Sequence, residues 1–311
     1  MSFDVSSLTN YVNEQSTDLI SRLYFGKTSS DYFTLQSGVK KTDALHLLAV
    51  TAFPQDGSGC SPSASGDVTF SDRNLTVGQI TYFSGFCMKD LIPKYTQILL
   101  RAGNGETEEM AFEAEVAESV ISTIMEHNEV ADWQGDTASA NVYINRYDGL
   151  IKIIDAATTA VDGNTSSATA ITSGASGNVD TLISDMANAR PAKVKSAANQ
   201  VLFVGQDTFD KYVDTLNAKN LYHVNATDWA NYTVSIPGKN VTLVGVVGLD
   251  GTNRMFLGTQ ENFFLGFDLQ NDEEEFDMWY DKKDDKVYYR VKFKRGLQVA
   301  YPDEIVEFTL A

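Results

Sequence analysis

Hydrophobic and polar positions change their period several times along this chain. Over residues 1–45, Leu8, Tyr11, Val12, Leu19, Ile20, Leu23 and Tyr24 stand at loosely helical spacings. FGKTSSDYFTLQSGVKKTDAL then mixes turn residues with short apolar pairs. This predicts an extended arm with a short helix, which needs another surface, such as a neighbouring subunit, to bury its aromatics. LHLLAVTAF and DVTFSDRNLTVGQITYF, rich in Val, Thr, Phe and Tyr, predict the two strands of a long hairpin over 45–83. PQDGSGCSPSASG between them is turn chemistry. KDLIPKYTQILL predicts a short helix with Pro93 near its first turn.

The helical period is clearest over 106–133. Phe112, Val116, Val120 or Ile121, and Ile124 recur close to every fourth residue, and Glu106, Glu108 and Glu109 suit the positive end of the helix dipole. Such a helix, of roughly 24 residues, would span about 36 Å, a length natural to a spine. A second helix is predicted over 147–160, and 162–178 is a low-complexity loop suited to a lobe boundary. The pattern then alternates: helix VDTLISDMANA, strand QVLFVG, helix DTFDKYVDTLNAKN with Asp207 as its N-cap, and strands near 232–236 and 241–247. From 254 onward it reads as strands only: RMFLGT, NFFLGFDL, EEFDMWYD, KVYYRVKFK, LQVAYP and EIVEFTL. The fold class is therefore α+β.

Composition narrows the function classes. The chain has 311 residues, 43% of them hydrophobic and 21% charged, as in ordinary globular proteins. Its net charge of −18 repels phosphate backbones, so direct nucleic-acid binding is not an expected task. MSFDVSSLTNYVNEQSTDLI does not have the form of a signal peptide, and no apolar run reaches membrane-spanning length, so a soluble protein made in the cytoplasm is expected, with no membrane partner. Cys60 and Cys87 share no metal-binding spacing, and His46, His127 and His223 stand apart. No GxSxG, HExxH, P-loop or dinucleotide fingerprint appears. The expectation is no enzyme, no cofactor and no metal.

One stretch invites an ion-site reading. FDLQNDEEEFDMWYDKKDDK, 267–286, crowds nine carboxylates among three lysines. The alternating acids and central Gly of a calcium loop are missing. A hairpin turning at 282–285 explains the pattern better. It pairs Asp281 with Lys286, Asp277 with Arg290, Glu275 with Lys292 and Glu273 with Lys294, while Trp279 meets Tyr288 on the same face. Tyr280 with Val287, Met278 with Tyr289 and Phe276 with Val291 then form the opposite, apolar face. A slip of one residue would exchange the faces of one strand, so the register is strongly specified. Each pair contributes about 0.2–1 kcal/mol, enough to select a register.

The order of these elements resembles the major capsid proteins of tailed double-stranded DNA bacteriophages, with their Hong Kong 97-type fold. The likeness lies in FSDRNLTVGQI with CMKDL, ADWQGD followed by NRYDGLIKIID, QVLFVGQDTFDKYVDTL, and above all the closing block from TQENFFLGFDL to GLQVAYPDEIVEF. The resemblance implies an N-terminal arm at 1–44 and an extended loop at 45–84. It implies a peripheral domain at 85–160 and 252–311, with the spine helix, and an axial domain at 161–251. It also implies hexamers and pentamers of this chain in an icosahedral virion shell, assembled in the host cytoplasm. Portal, scaffolding and possible decoration proteins would be its partners, and packaged DNA would lie nearby without specific binding. Some relatives cross-link a loop lysine to a neighbour's asparagine, but residues 51–80 hold no lysine, and Arg73 is their one basic side chain. Non-covalent assembly is expected. Encapsulin-type compartments share the fold and are the nearest alternative; a calcium- or carbohydrate-binding β-protein is a more distant one.

Overall fold

The computed structural model describes residues 29–54, 65–87, 109–221, 231–268, 275–284 and 286–311. The expected short helix at 89–100, the first part of the arm, Cys60, His223 and Glu273 lie outside the described residues.

Two sheets and a separate hairpin organise these residues. Strand β12 (Lys286–Val299) is the centre of a five-stranded sheet. Along one edge it pairs antiparallel with β10 (Phe263–Phe267) and β11 (Glu275–Asp281); along the other it meets β4 (Gly78–Cys87). KVYYRVKFK and LQVAYP, read as two strands, are thus largely one continuous strand. Strand β1 (Thr34–Ser37) closes the sheet in parallel with β10. Beneath the sheet runs helix α1 (Glu109–Gln134), a 26-residue rod of about 39 Å. Its Ala117, Ile121 and Ile124 share a buried core with Ile80, Phe276, Met278, Val291 and Phe293 from the sheet. Helix α2 (Leu150–Ala157) adds Leu150 and Ile154 to that core and is shorter than its apolar pattern suggested.

The second sheet has six strands in the order β5 (Val161–Asp162), β13 (Val306–Phe308), β9 (Met255–Thr259), β6 (Gln200–Gly205), β8 (Thr242–Val246), β7 (Thr233–Ser235). QVLFVG is buried at every position, which is why it reads as an unbroken apolar run. Helix α3 (Val179–Ala189) packs Val179, Leu182, Ile183, Met186 and Ala187 against this sheet, the spacing of a single apolar stripe. Helix α4 (Gln206–Ala218) contributes Phe209, Tyr212 and Leu216. The sheet takes strands from both sides of residue 252, because β9 and β13 lie beside β6 and β5.

Three expectations need correction. Asp207 does not cap α4. Gly205 occupies the cap position, and Asp207, inside the first turn, accepts the N–H of Thr208 at 2.8 Å. The outside acceptor for this helix end is Asp250, whose Oδ1 takes the Asp207 N–H at 3.3 Å. Second, DVTFSDRNLTVGQITYF is not one strand. Strand β3 (Gly66–Thr76) pairs with β2 (Thr42–Ala52), and after Val77 the chain leaves the hairpin to run beside β12 as β4. Glycine makes that crossing possible: a Cβ on Gly296 would fall 2.2 Å from the carbonyl oxygen of Thr76. Third, the described end of the arm buries its own aromatic. Phe33 packs beside Trp133, Phe203 and Phe263 in the chain's own main core.

Candidate assembly surfaces

Hairpin β2–β3 is fixed at one end and bare at the other. At its base, Leu45, Leu75 and Val77 form a small buried cluster with Val39. Gln298 on β12 donates through Nε2 to the Asn74 carbonyl at 2.6 Å and accepts from the Arg73 guanidinium at 3.3 Å. Counted from that base to their far ends, the eleven residues of each strand span about 36 Å in all. Strict register places Leu48 opposite Phe70 and Val50 opposite Val68. The alternation of a strand puts both pairs on one face. Leu48 and Val68 are 52% exposed, Val50 61% and Phe70 79%. A contiguous apolar stripe of this kind on a projecting arm marks an interaction surface.

The second surface is the outer face of the β4–β12–β11 sheet. Here Asp281 lies opposite Lys286, Asp277 opposite Arg290 and Glu275 opposite Lys292, with Trp279 opposite Tyr288. Arg290 donates to Asp277 at 2.7 Å, and its guanidinium also lies over the Trp279 ring, 5.5 Å from the centroid. Asp281 turns its carboxylate to the N–H of Lys283 in the turn, at 2.8 Å. Lys294 meets Asp268 at 3.4 Å, both well buried. Interleaved with the charges is an aromatic stack. Phe83 of β4 lies 5.5 Å from Tyr288 and 6.0 Å from Trp279. Phe83 stays 60% exposed.

Behind this face lies a buried polar network that sequence reasoning missed. Arg295 grips Asp132 with two hydrogen bonds, Nε to Oδ1 at 2.8 Å and Nη2 to Oδ2 at 2.6 Å. Tyr147 donates its hydroxyl to the same carboxylate at 2.7 Å, and Ser30 accepts from Arg295 at 3.2 Å. Nearby, Trp133 donates its indole N–H to Ser29 at 2.9 Å, and Ser29 donates in turn to Glu129. Burial alone would pull the Arg295 guanidinium down, but the Asp132 carboxylate outweighs it and holds it above its usual value. Burial, and then the Asp132 charge, push the Tyr147 phenol well above its usual range. The network ties the arm, the spine helix, the loop before α2 and the central strand into one body. Its signal was present in the sequence: Val287, Tyr289, Val291 and Phe293 alternate on the inner face, and Arg295 continues that series.

Among the described residues, no three His, Cys, Asp or Glu side chains gather as metal ligands, and no helix is long and apolar enough to cross a membrane. His46, expected to be structural or at the surface, lies exposed beside Asp72 at 2.7 Å on the hairpin.

No protein-family profile matches the sequence, and no curated protein matches it significantly. The likeness is to solved structures. A chain of the satellite phage P4 procapsid, solved with its size determination (Sid) protein, aligns with a TM-score of 0.62 at 13% identity, covering 95% of this chain and 90% of its own. The capsid of an empty GTA particle gives 0.58 at 10% identity, over 90% and 88%. A structure from Microbacterium phage Oxtober96 gives 0.55 at 14%, over 91% and 90%. The class is therefore defined by fold: an α+β chain with the Hong Kong 97-type capsid fold. It carries the projecting hairpin, the spine helix beneath a sheet and the second α/β unit in one chain.

Proposed function

We propose that this chain is the structural subunit of an icosahedral shell, the major capsid protein of a tailed bacteriophage. Copies associate into hexamers and pentamers that enclose packaged double-stranded DNA. The observation that carries the reading is the hairpin. A stripe with Leu48, Val50, Val68 and Phe70 held out in solvent is a cost to a monomer and a gain to an assembly. These side chains are already partly covered, so each stands to gain roughly 1 kcal/mol or more on full burial.

In this account the role is structural and not enzymatic. The arm is 1–44, the extended loop 45–84, the peripheral domain 85–160 with 252–311, and the axial domain 161–251, with β9 and β13 as the seam between the last two. The ladder of Glu273, Glu275, Asp277, Asp281, Lys286, Arg290, Lys292 and Lys294 serves to hold the hairpin register. The subunit works in the virion, after assembly in the host cytoplasm, beside portal, scaffolding and decoration proteins. Its net charge of −18 keeps the packaged DNA from adhering to the wall. With no lysine in 51–80, the shell is held without lysine cross-links from the loop.

Electron microscopy of the purified protein, alone and with a scaffolding partner, tests the reading. Capsomers or closed shells are expected. A monomer under all such conditions would overturn it, and shells filled with an enzyme in place of DNA would favour the compartment alternative.

A further inference from the structure

A cleft opens between β4, the C-terminal half of α1 and the loop before α2. It has a volume of about 170 Å³ and is lined by Tyr82, Asn128, Val142, Tyr143, Arg146 and their neighbours. Two side chains at its wall, Arg146 and Asn128, carry donors that have no acceptor among the described residues. Arg146 is an exposed cation to which the described residues offer neither an ion pair nor a hydrogen bond. Asn128 is 3% exposed, and its Nδ2 has no partner among the described residues. The Tyr82 hydroxyl is held protonated, its pKa pushed up to about 12 by burial against the opposing pull of Arg146. An unpaired buried amide donor is costly in a folded protein and calls for an acceptor that arrives later.

We propose that this cleft is the receptor for a carboxylate side chain carried by a second copy of the chain. The occupant follows from charge and from the rim. Cationic and neutral donors with no acceptor opposite them select an anion. The chain has 42 Asp and Glu against 24 Lys and Arg, so any neighbouring copy presents carboxylates in excess. Val142 and Tyr143 at the mouth are 60% and 63% exposed. An apolar rim of that kind is covered by a protein surface and not by a small hydrated anion. Thus the anion arrives on a protein, and the choice of a second copy rests on the shell-subunit reading. Bound there, the carboxylate would pair with Arg146 and offer lone pairs to the Tyr82 hydroxyl and, after a small side-chain rotation, to the Asn128 amide.

The test is zero-length cross-linking. Arg146→Lys keeps the charge and supplies an amine that a carbodiimide joins only to a carboxylate in contact with it. An equal mixture of nitrogen-15-labelled and unlabelled R146K subunits is assembled, cross-linked and analysed by peptide mass spectrometry, with Arg146→Gln as the control that lacks an amine. Peptides joining residue 146 to an Asp or Glu are expected, about half of them heavy–light hybrids, and are absent in R146Q. Shells without heavy–light links at 146, or with only single-isotope links, overturn the receptor and leave the shell reading intact. Heavy–light links in small oligomers that never close support the receptor and remove the shell. A chain that stays monomeric removes both.

Discussion

Replacing Arg295 with Met tests whether the buried network anchors the central strand. The Arg295 and Asp132 side chains are 2% and 0% exposed, so the substitution strands a carboxylate where water cannot reach it. It also deprives Ser30 of its Arg295 bond and leaves the Tyr147 hydroxyl to donate to Asp132 without the guanidinium beside it. Removing one member of such a pair costs about 3–5 kcal/mol, most of it the uncompensated charge. Against a total stability of about 5–15 kcal/mol, that is a large fraction. Asp132→Leu should cost a similar amount for the complementary reason. The double variant, with neither charge, should recover much of the loss, because a paired buried charge and a well-packed apolar pair are often close in free energy. Urea unfolding of the unassembled subunit, followed by far-ultraviolet circular dichroism, gives all three values. A loss below about 1 kcal/mol for R295M, or a double variant that loses the sum of the singles, would refute the reasoning.

Other variants probe separate parts of the structure. Arg290→Glu sets two carboxylates opposite each other in place of the 2.7 Å pair with Asp277. Since both groups are more than a third exposed, the subunit should lose no more than about 1 kcal/mol, while its β11–β12 amides exchange faster; unchanged exchange would make the ladder irrelevant. Gly296→Ala puts a methyl 2.2 Å from the Thr76 oxygen and 2.8 Å from the Val77 Cα, so it should cost about 1–3 kcal/mol and loosen the hairpin base, read by hydrogen exchange at Asn74–Val77. Lys152 bonds both Asp136 and Asp148 at 2.7 Å. The Lys152 bond lowers Asp136 below its ordinary 3.8; at Asp148 burial pushes upward, but Lys152 and Thr137 prevail and lower it too. Depressed carboxylates stabilise the fold above the unfolded value and lose that contribution as pH falls through the folded one. Loop 135–149 should therefore loosen below pH 3.8, and amide protection there that is the same at neutral pH and at pH 3 would contradict this.

Elements with a single strong period were legible from the sequence. Strand β6 is an apolar run buried on both faces, and the α3 stripe repeats at helical spacing, so both are bounded as their residues predict. The β11–β12 register was legible because one alignment satisfies an apolar face and a charged face together. Long-range pairing choices were not. Nothing local to Val77 says that the strand must exchange β2 for β12 there; the reason lies in the close approach at Gly296, over two hundred residues later in the chain. The Phe33 burial depends on β1 finding β10, again a distant partner. Asp250 as the outside acceptor for α4 and Asp132 as the counter-ion of Arg295 are likewise choices made in three dimensions. Of the two candidate surfaces, the charged hairpin face was visible as a pattern. The apolar stripe on β2–β3 was visible only as strand propensity, since exposure decides its meaning.

On the proposed function, the bare stripe of the β2–β3 hairpin is completed by a neighbouring copy in a closed shell. Cryo-electron microscopy of particles assembled from the wild-type chain, beside Phe70→Asp, decides this. Wild-type shells should show Leu48, Val50, Val68 and Phe70 buried on an adjacent subunit, and F70D subunits should fold normally but stay unassembled. Shells whose hairpins stand free in solvent, or F70D particles equal in yield to wild type, would contradict it.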